Sequence, residues 1–338
     1  MPWKVDWRVL VNGQDMSGEM ARFLTSISVT DQAGTESDRC SLAFDDRDAQ
    51  LRLPGDRSAV AVYLQGVQVF NGIVDSVRSS GSRGSGRAIN VTAKGYDVKG
   101  KAKEPQSFHS DDASLKDFLG KAAEAAGFSL KIDDELGAIT RDYWAADGES
   151  FVHLGERLAR EFYATFKLRG TEAVFVPRGS DPGLPAIIGT VGREFNGNVI
   201  SWDIAPLTGR RQFTKAEVRW FDRESASFKT KEVEFSTDRD LPDSANKIRT
   251  TAADEAQAGD VGEARKSEAE REGGEGSVDL DLAVEAQAEA QFILTGARPG
   301  VDGTYRIVSV THTANRSSGA TTSLQLKQPA GGAGTDRR

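Results

Sequence analysis

Three histidines, one cysteine and a few tight carboxylate runs are the side chains of this 338-residue chain whose types suit chemistry. Their spacing does not assemble a site. His109, His153 and His312 stand far apart, without the close ligand spacing of a zinc centre. Cys40 is the only cysteine, which excludes an intramolecular disulfide and a cysteine-rich zinc site. It falls in the apolar run RCSLAF (39–44), the setting of a buried, inert thiol. Asp45, Asp46 and Asp48 approach a calcium loop. Counted from Asp46, however, Gln50 takes the fifth position, Leu51 replaces the glycine, and Arg57 stands where a bidentate glutamate is needed. Asp133-Asp134-Glu135 could supply a carboxylate to a glycosidase pair, but directly after strand-like residues 128–132 it reads as a solvated loop opening. GYDVKGKA (95–102) aligns Gly95, Gly100 and Lys101 with a phosphate-binding loop. Ala102 replaces the hydroxyl that would hold magnesium, and Pro105 opposes the helix that should follow. GSRGSG (81–86) lies between two strand-like runs, as a hairpin loop does. No G-x-S-x-G elbow occurs. Trp3, Trp7, Trp144, Trp202 and Trp220 fall mostly in strand-like surroundings and read as core or subunit-interface anchors. The expectation is a chain without catalytic residues, metal site or cofactor.

The bulk properties narrow the class further. Hydrophobic residues make up 38% and charged residues 28%, a soluble globular composition, and the length predicts two or three domains. No apolar run reaches the roughly 18 residues of a membrane span, and MPWKVDWRVLVNG lacks a signal-peptide core. A lone cysteine fits synthesis in a reducing cytoplasm. The formal charge is −8; residues 1–95 carry 11 basic and 11 acidic side chains, residues 96–190 carry 12 and 16, and residues 191–338 carry 20 and 24. Without a basic block such a chain is a poor nucleic-acid binder, because phosphates must be neutralised. A mildly acidic surface is common among soluble proteins and would also suit a conduit that DNA passes without sticking.

The elements that would position these residues divide the chain in three. Residues 1–95 read as short strands at 3–11, 23–30, 39–44, 58–64, 67–78 and 87–94, punctuated by Gly, Asp and Ser. Val60, Val62 and Leu64 share one face, and Gln65-Gly66 marks a turn. A small barrel or sandwich is expected. Residues 96–190 switch to helical periodicity. A helix over 114–126 aligns Leu115, Phe118, Leu119, Ala122 and Ala126, with Ser114 and Asp117 spaced as a capping box and Gly127 as its stop. A second, at about 149–163, aligns Phe151, Leu154, Leu158 and Phe162, capped by Asp147 or Ser150. A hairpin of 164–168 and 172–177 turns at Gly170. Residues 191–330 return to strands at 197–204, 213–221, 227–235, 277–284 and 291–295. A polar helix covers 251–272, weakened at Gly259 and Gly262. The chain ends in the hairpin TYRIVSVTHT (304–313) and ATTSLQLK (320–327) and a disordered tail, 331–338.

That closing hairpin, with its pattern G-x-Y-x-[IV]-x-x-V-x-H…G…T-x-L-x-L, resembles the end of the phage late control D family of tail hub proteins. PGDRSAVAVYLQGVQVFNGIVDSV (54–77), VTAKGYDVKGKAKEPQSF (91–108), SLKDFLGKAAEAAGFSLKID (114–133) and DYWAADGESFVHLGERLAREFYATFKL (142–168) are similar to the family's other segments, in order. In the family pattern 285–290 (EAQAEA) is a connection between strands, although its residues favour helix. The resemblance implies an α+β, mainly β fold: two small β-barrel domains of a tail-hub type (1–95 and 191–330) flanking a compact α+β domain (96–190). It further implies a homotrimer whose six barrels form a ring. That ring joins the sixfold tail tube protein to the threefold central spike protein, among other baseplate proteins. DNA passes through the lumen without specific binding, and no membrane insertion is expected. The location is the virion tail, assembled in the host cytoplasm. Two other readings remain open. Scattered carboxylates motivate a tail-associated peptidoglycan hydrolase, and the tryptophans motivate a host-glycan or receptor-binding module.

Overall fold

The computed structural model describes residues 3–34, 37–55, 57–84, 86–179, 183–192, 196–207, 213–235 and 243–336. The first region forms β1 (Trp7–Val11), β2 (Gln14–Asp15), the one-turn helix α1 (Ser17–Met20), β3 (Leu24–Gln32), β4 (Arg39–Asp45), β5 (Ala59–Leu64), β6 (Val67–Ser82) and β7 (Gly86–Lys94). Alternation sets their faces: Val60, Val62 and Leu64 are buried together while their neighbours are not. Gln65 and Gly66 both have positive φ, 49° and 77°, the pair of angles a tight hairpin between twisted strands needs.

The middle region comprises β8 (Pro105–Ser114), α2 (Leu115–Ala126), β9 (Ser129–Ile132), α3 (Asp134–Gly137), β10 (Thr140–Ser150), α4 (Phe151–Glu161), β11 (Ala164–Arg169) and β12 (Glu172–Pro177). Ser114 caps α2 by accepting from the Asp117 N–H, and Gly127 ends it at φ 83°. For α4 the cap is Ser150, which accepts from the His153 N–H. β8 and β10 pair as a long antiparallel ribbon that sequence periodicity does not reveal. β11, β12 and β9 form a three-stranded sheet. Phe118, Leu119, Trp144, Phe151, Leu154, Phe166 and Phe175 fill one core between ribbon, helices and sheet, each contributing about 1.5–3 kcal/mol of burial. Gly155 of α4 lies against Phe166, whose ring would sit 2.3 Å from an added Cβ.

The last region holds β13 (Ile187–Thr190), β14 (Val199–Ala205), β15 (Lys215–Asp222), β16 (Ser227–Glu234), β17 (Ala245–Ala252), α5 (Glu255–Arg271), β18 (Glu275–Asp281), β19 (Gln291–Thr295), β20 (Gly303–Asn315) and β21 (Gly319–Ala330). Residues 285–290 form turns and not a helix. β15, β16 and β17 stand apart as a three-stranded sheet under α5, with a small core of Val218, Ala252 and Ala258. The strands expected at 213–221 and 227–235 therefore do not join the large sheet. Residues 331–336, expected as a free tail, make turn hydrogen bonds, among them Gly334 N–H to the Gly300 carbonyl; residues 337–338 lie outside the described set.

Thirteen strands share one sheet, in the order β14-β18-β21-β20-β3-β4-β7-β6-β5-β1-β2, with β19 also on β20 and β13 on β19. Each end carries six principal strands and a core of its own. One core gathers Val9, Leu24, Ile27, Leu42, Val62 and Val91; the other gathers Val278, Leu280, Phe292, Tyr305, Ile307 and Leu324. Val9 of β1 and Leu24 of β3 meet in one core although four strands separate them in the sheet, so the sheet curls strongly. The expectation of two barrels is met only in this coarser form: the fold is mainly β with two curled modules, and among the described residues no ladder closes either one.

Candidate assembly site

The residues whose types suit chemistry lie apart, and most of them make local structural contacts. Asp46 accepts from the Leu51 N–H at 3.0 Å, and Asp45 pairs with Arg47 at 2.8 Å. Asp133 caps α3, accepting from the N–H groups of Glu135 and Leu136. In 95–102 the Asp97 carboxylate holds the Lys99 N–H and pairs with Arg57. Only a three-residue 3-10 turn follows, so there is no helix terminus to face a phosphate. Residues 81–86 are the β6–β7 hairpin tip, with residue 85 outside the described set. Cys40 is fully buried, and burial pushes its thiol up to about 12. His312 is buried in β20 with Nδ1 3.0 Å from Thr322 Oγ1, and burial lowers its pKa. His109 stacks on Tyr143, and His153 is exposed on α4, 4.0 Å from Glu149. The structure brings no two of these histidines together. Among the described residues no group of His, Cys, Asp and Glu is arranged to hold a metal, and no helix is long and apolar enough to cross a membrane.

The tryptophans divide as anchors do. Trp144 is buried, donates Nε1–H to the Ala113 carbonyl at 2.8 Å and stacks on Phe118. Trp3 and Trp7 pack on the first module's core, and Trp220 on the core under α5. Trp202 is 42% exposed on β14.

Ion pairs that sequence reading could not anticipate hold the regions together. Lys167 of β11 reaches Asp31 of β3 and, at 2.7 Å, Asp38. Arg169 adds a contact to Asp38 at 3.2 Å. Burial works against the Asp31 carboxylate, yet Lys167, then Arg169, and the Ala288 N–H bring its pKa down to about 2. Asp38 moves the other way, raised by burial and by the charge of Asp31. Glu289, at positive φ in the 282–290 connection, takes both guanidinium nitrogens of Arg271 at 3.0 Å. This buried fork pins the Ala/Glu-rich connection out of helix. Arg141 of β10 joins Glu161 of α4 at 2.6 Å and Asp260 of α5 at 2.9 Å.

The sheet termini are treated unequally. At β1 the Val9 carbonyl accepts from the Met16 N–H and the Val9 N–H donates to Ser17 Oγ, so residues 14–17 cover that edge. At β13 the Asn198 side chain accepts from the Thr190 N–H and donates to the Ile188 carbonyl, both at 2.8 Å. At β14 no described strand pairs with the outer edge. Ile200 and Trp202 are exposed along it at 55% and 42%, with Leu207 just beyond at 56%. Bare apolar edges are rare in monomers, because they template further pairing.

No family model matches the chain. A probable baseplate hub protein of Escherichia phage 186 is 24% identical over 174 residues, taking in 50% of this chain and 44% of that relative. The chain thus matches less than half of the relative's length. Among solved structures, the 43 kDa tail protein of prophage MuSo2 from Shewanella oneidensis superposes with a TM-score of 0.72 at 14% identity, over 96% of this chain and 98% of that one. A tail protein of Neisseria meningitidis gives 0.72 at 15% identity over 96% of each chain. A type VI secretion component of E. coli gives 0.58 at 12% identity, over 99% of this chain and 79% of that one. The chain is related in sequence to a baseplate hub protein and carries a phage tail protein fold.

Proposed function

We propose that this chain is the structural hub of a phage or phage-like tail baseplate. Three copies place six β modules in a ring, which joins a sixfold tail tube to a threefold central spike. One observation carries the reading: a single polypeptide holds two curled six-strand modules with separate cores, joined through the pairing of β20 with β3. A threefold set of such chains offers six comparable units, which is what a symmetry adaptor requires. The bare β14 edge supports it, since a neighbouring copy would cover Ile200 and Trp202. The hub acts by geometry and not by catalysis. It resides in the virion tail after assembly in the host cytoplasm, and DNA passes through its lumen without specific binding.

Mass photometry of the purified chain, alone and mixed with its spike protein, tests this. The expected species contains three copies of the 36.4 kDa chain. A stable dimer or tetramer, or a ring of another rotational order in the mixture, sinks the proposal.

A further inference from the structure

One rim of the first β module inverts the charge of the whole chain. Four successive loops meet there: the β20–β21 tip, the segment before β3, the turn after β4 and the β6–β7 tip. Register aligns them, with Asn315 opposite Ser26, Leu24 opposite Phe44, Asp45 opposite Ala88 and Ser82 opposite Gly86. Each loop brings arginine: Arg316, Arg22, Arg47 (already paired with Asp45), and Arg83 together with Arg87. Arg316 donates to the Arg22 carbonyl at 3.0 Å. Arg47 packs across Gly86, where an added Cβ would stand 2.8 Å from its Cγ. Between Arg47 and the β6–β7 tip lies an open cleft of about 640 Å³, whose lining includes Arg47, Arg83, Arg87, Ser79, Ser80 and Ser82. Neither tip, 79–87 or 315–319, contains a carboxylate, in a chain of net charge −8.

We infer that this rim is a docking surface for an acidic protein face. Arginine forks pair in bidentate fashion with carboxylates, which is the chemistry that Arg83 and Arg87 offer at this rim. Nucleic acid is the poorer fit. Duplex phosphates place a charge about every 1.7 Å and would meet Asp45, Asp46 and Asp48 on the same rim as well as the overall negative charge. A protein face can space its carboxylates to meet the arginines and pass the three aspartates, which the fixed phosphate spacing of a duplex cannot do. The inference holds whether or not the chain trimerises.

Binding of the full chain to immobilised poly-L-glutamate, by surface plasmon resonance, tests it. Association is expected at about 0.01 M salt, where screening extends roughly 30 Å, and not at about 1 M, where it extends roughly 3 Å. The double variant Arg83→Ser, Arg87→Ser lowers affinity about fivefold, two exposed ion pairs being lost. Arg223→Ser, on the β15–β16 turn, leaves it unchanged. Equal binding by the double variant, an equal loss with Arg223→Ser, or tighter binding to a 30-base-pair duplex overturns the inference. An unchanged melting temperature in the double variant excludes misfolding as the cause.

Discussion

At the scale of single residues, the charges that matter are buried and paired across long sequence distances. Lys167 stands between Asp31 and Asp38 at 9% side-chain exposure, and removing it leaves two largely buried carboxylates to share the half-exposed Arg169. Lys167→Met is expected to cost about 3–5 kcal/mol, read from the shift of a urea midpoint. The pH dependence has two parts of opposite sign. Asp31 has a folded pKa depressed to about 2, so its contribution of about 2 kcal/mol is present above roughly pH 4 and is lost as pH falls towards 2. Asp38 has a raised folded pKa, so protonating it as pH falls towards 4 relieves strain before Asp31 begins to fail. Lys167→Met should shrink the loss between pH 4 and 2, Arg169 and the Ala288 N–H keeping the remainder; an unchanged acid limb refutes the assignment. His312 follows the depressed-pKa logic at higher pH. Its neutral ring is held by Thr322, so stability declines as pH drops below about 6.5, the unfolded value. Comparing His312→Gln with the parent between pH 7 and 5 isolates this slope, and equal slopes would show His312 plays no part.

Among the elements, α5 shows how a polar helix is seated. Its two glycines look alike in sequence and differ in surroundings. Nothing lies within 4 Å of a Cβ added at Gly259, whereas one at Gly262 would come within 2.5 Å of Val233 Cγ2. Gly259→Ala should therefore stabilise by about 0.5–1 kcal/mol. Gly262→Ala should destabilise by about 1–3 kcal/mol despite its better helix propensity. Thermal melts of the pair decide this, and equal shifts would mean α5 is not packed on β15 and β16. The same contrast marks what sequence could and could not reveal. The strands of 1–95, the α2 and α4 stripes, the Ser114 and Ser150 caps and the Gln65-Gly66 turn were legible because period and local hydrogen bonding encode them. The β8–β10 ribbon was not, since PQSFHSDDAS has little strand propensity and is held by Phe108, Ala113, Trp144 and Ala146 packing into the core. The separation of β15–β17 from the large sheet was also hidden, because partner choice among similar strands is tertiary. The candidate assembly edge was invisible for the same reason. Trp202 reads in sequence as a core or interface anchor, but only the fold shows that β14 is the last described strand at its end of the sheet.

On the scale of the whole molecule, β20 is the member on which the architecture turns. One edge pairs with β21 along nearly its full length; the other is divided, Gly303–Arg306 taking β19 and Ser309–Asn315 taking β3. A single strand thereby belongs to both modules, and Thr30 Oγ1 meets Thr311 Oγ1 across the join at 3.2 Å. The Lys167 cluster holds the end of β3 from the middle region, and the Ala288 N–H to Asp31 bond at 2.8 Å ties the 282–290 connection to the same carboxylate. A hinge there would let the modules tilt, and three copies could not then present six units at fixed angles. Rigidity at the seam is therefore a requirement of the proposed ring and has a direct readout. In native-state hydrogen exchange, amides of 26–32 and 309–315 should open only with global unfolding, as slowly as those in either core. Faster exchange there than in β5 or β18 would mean that the modules move independently, and a fixed six-unit ring could not be built from such a chain.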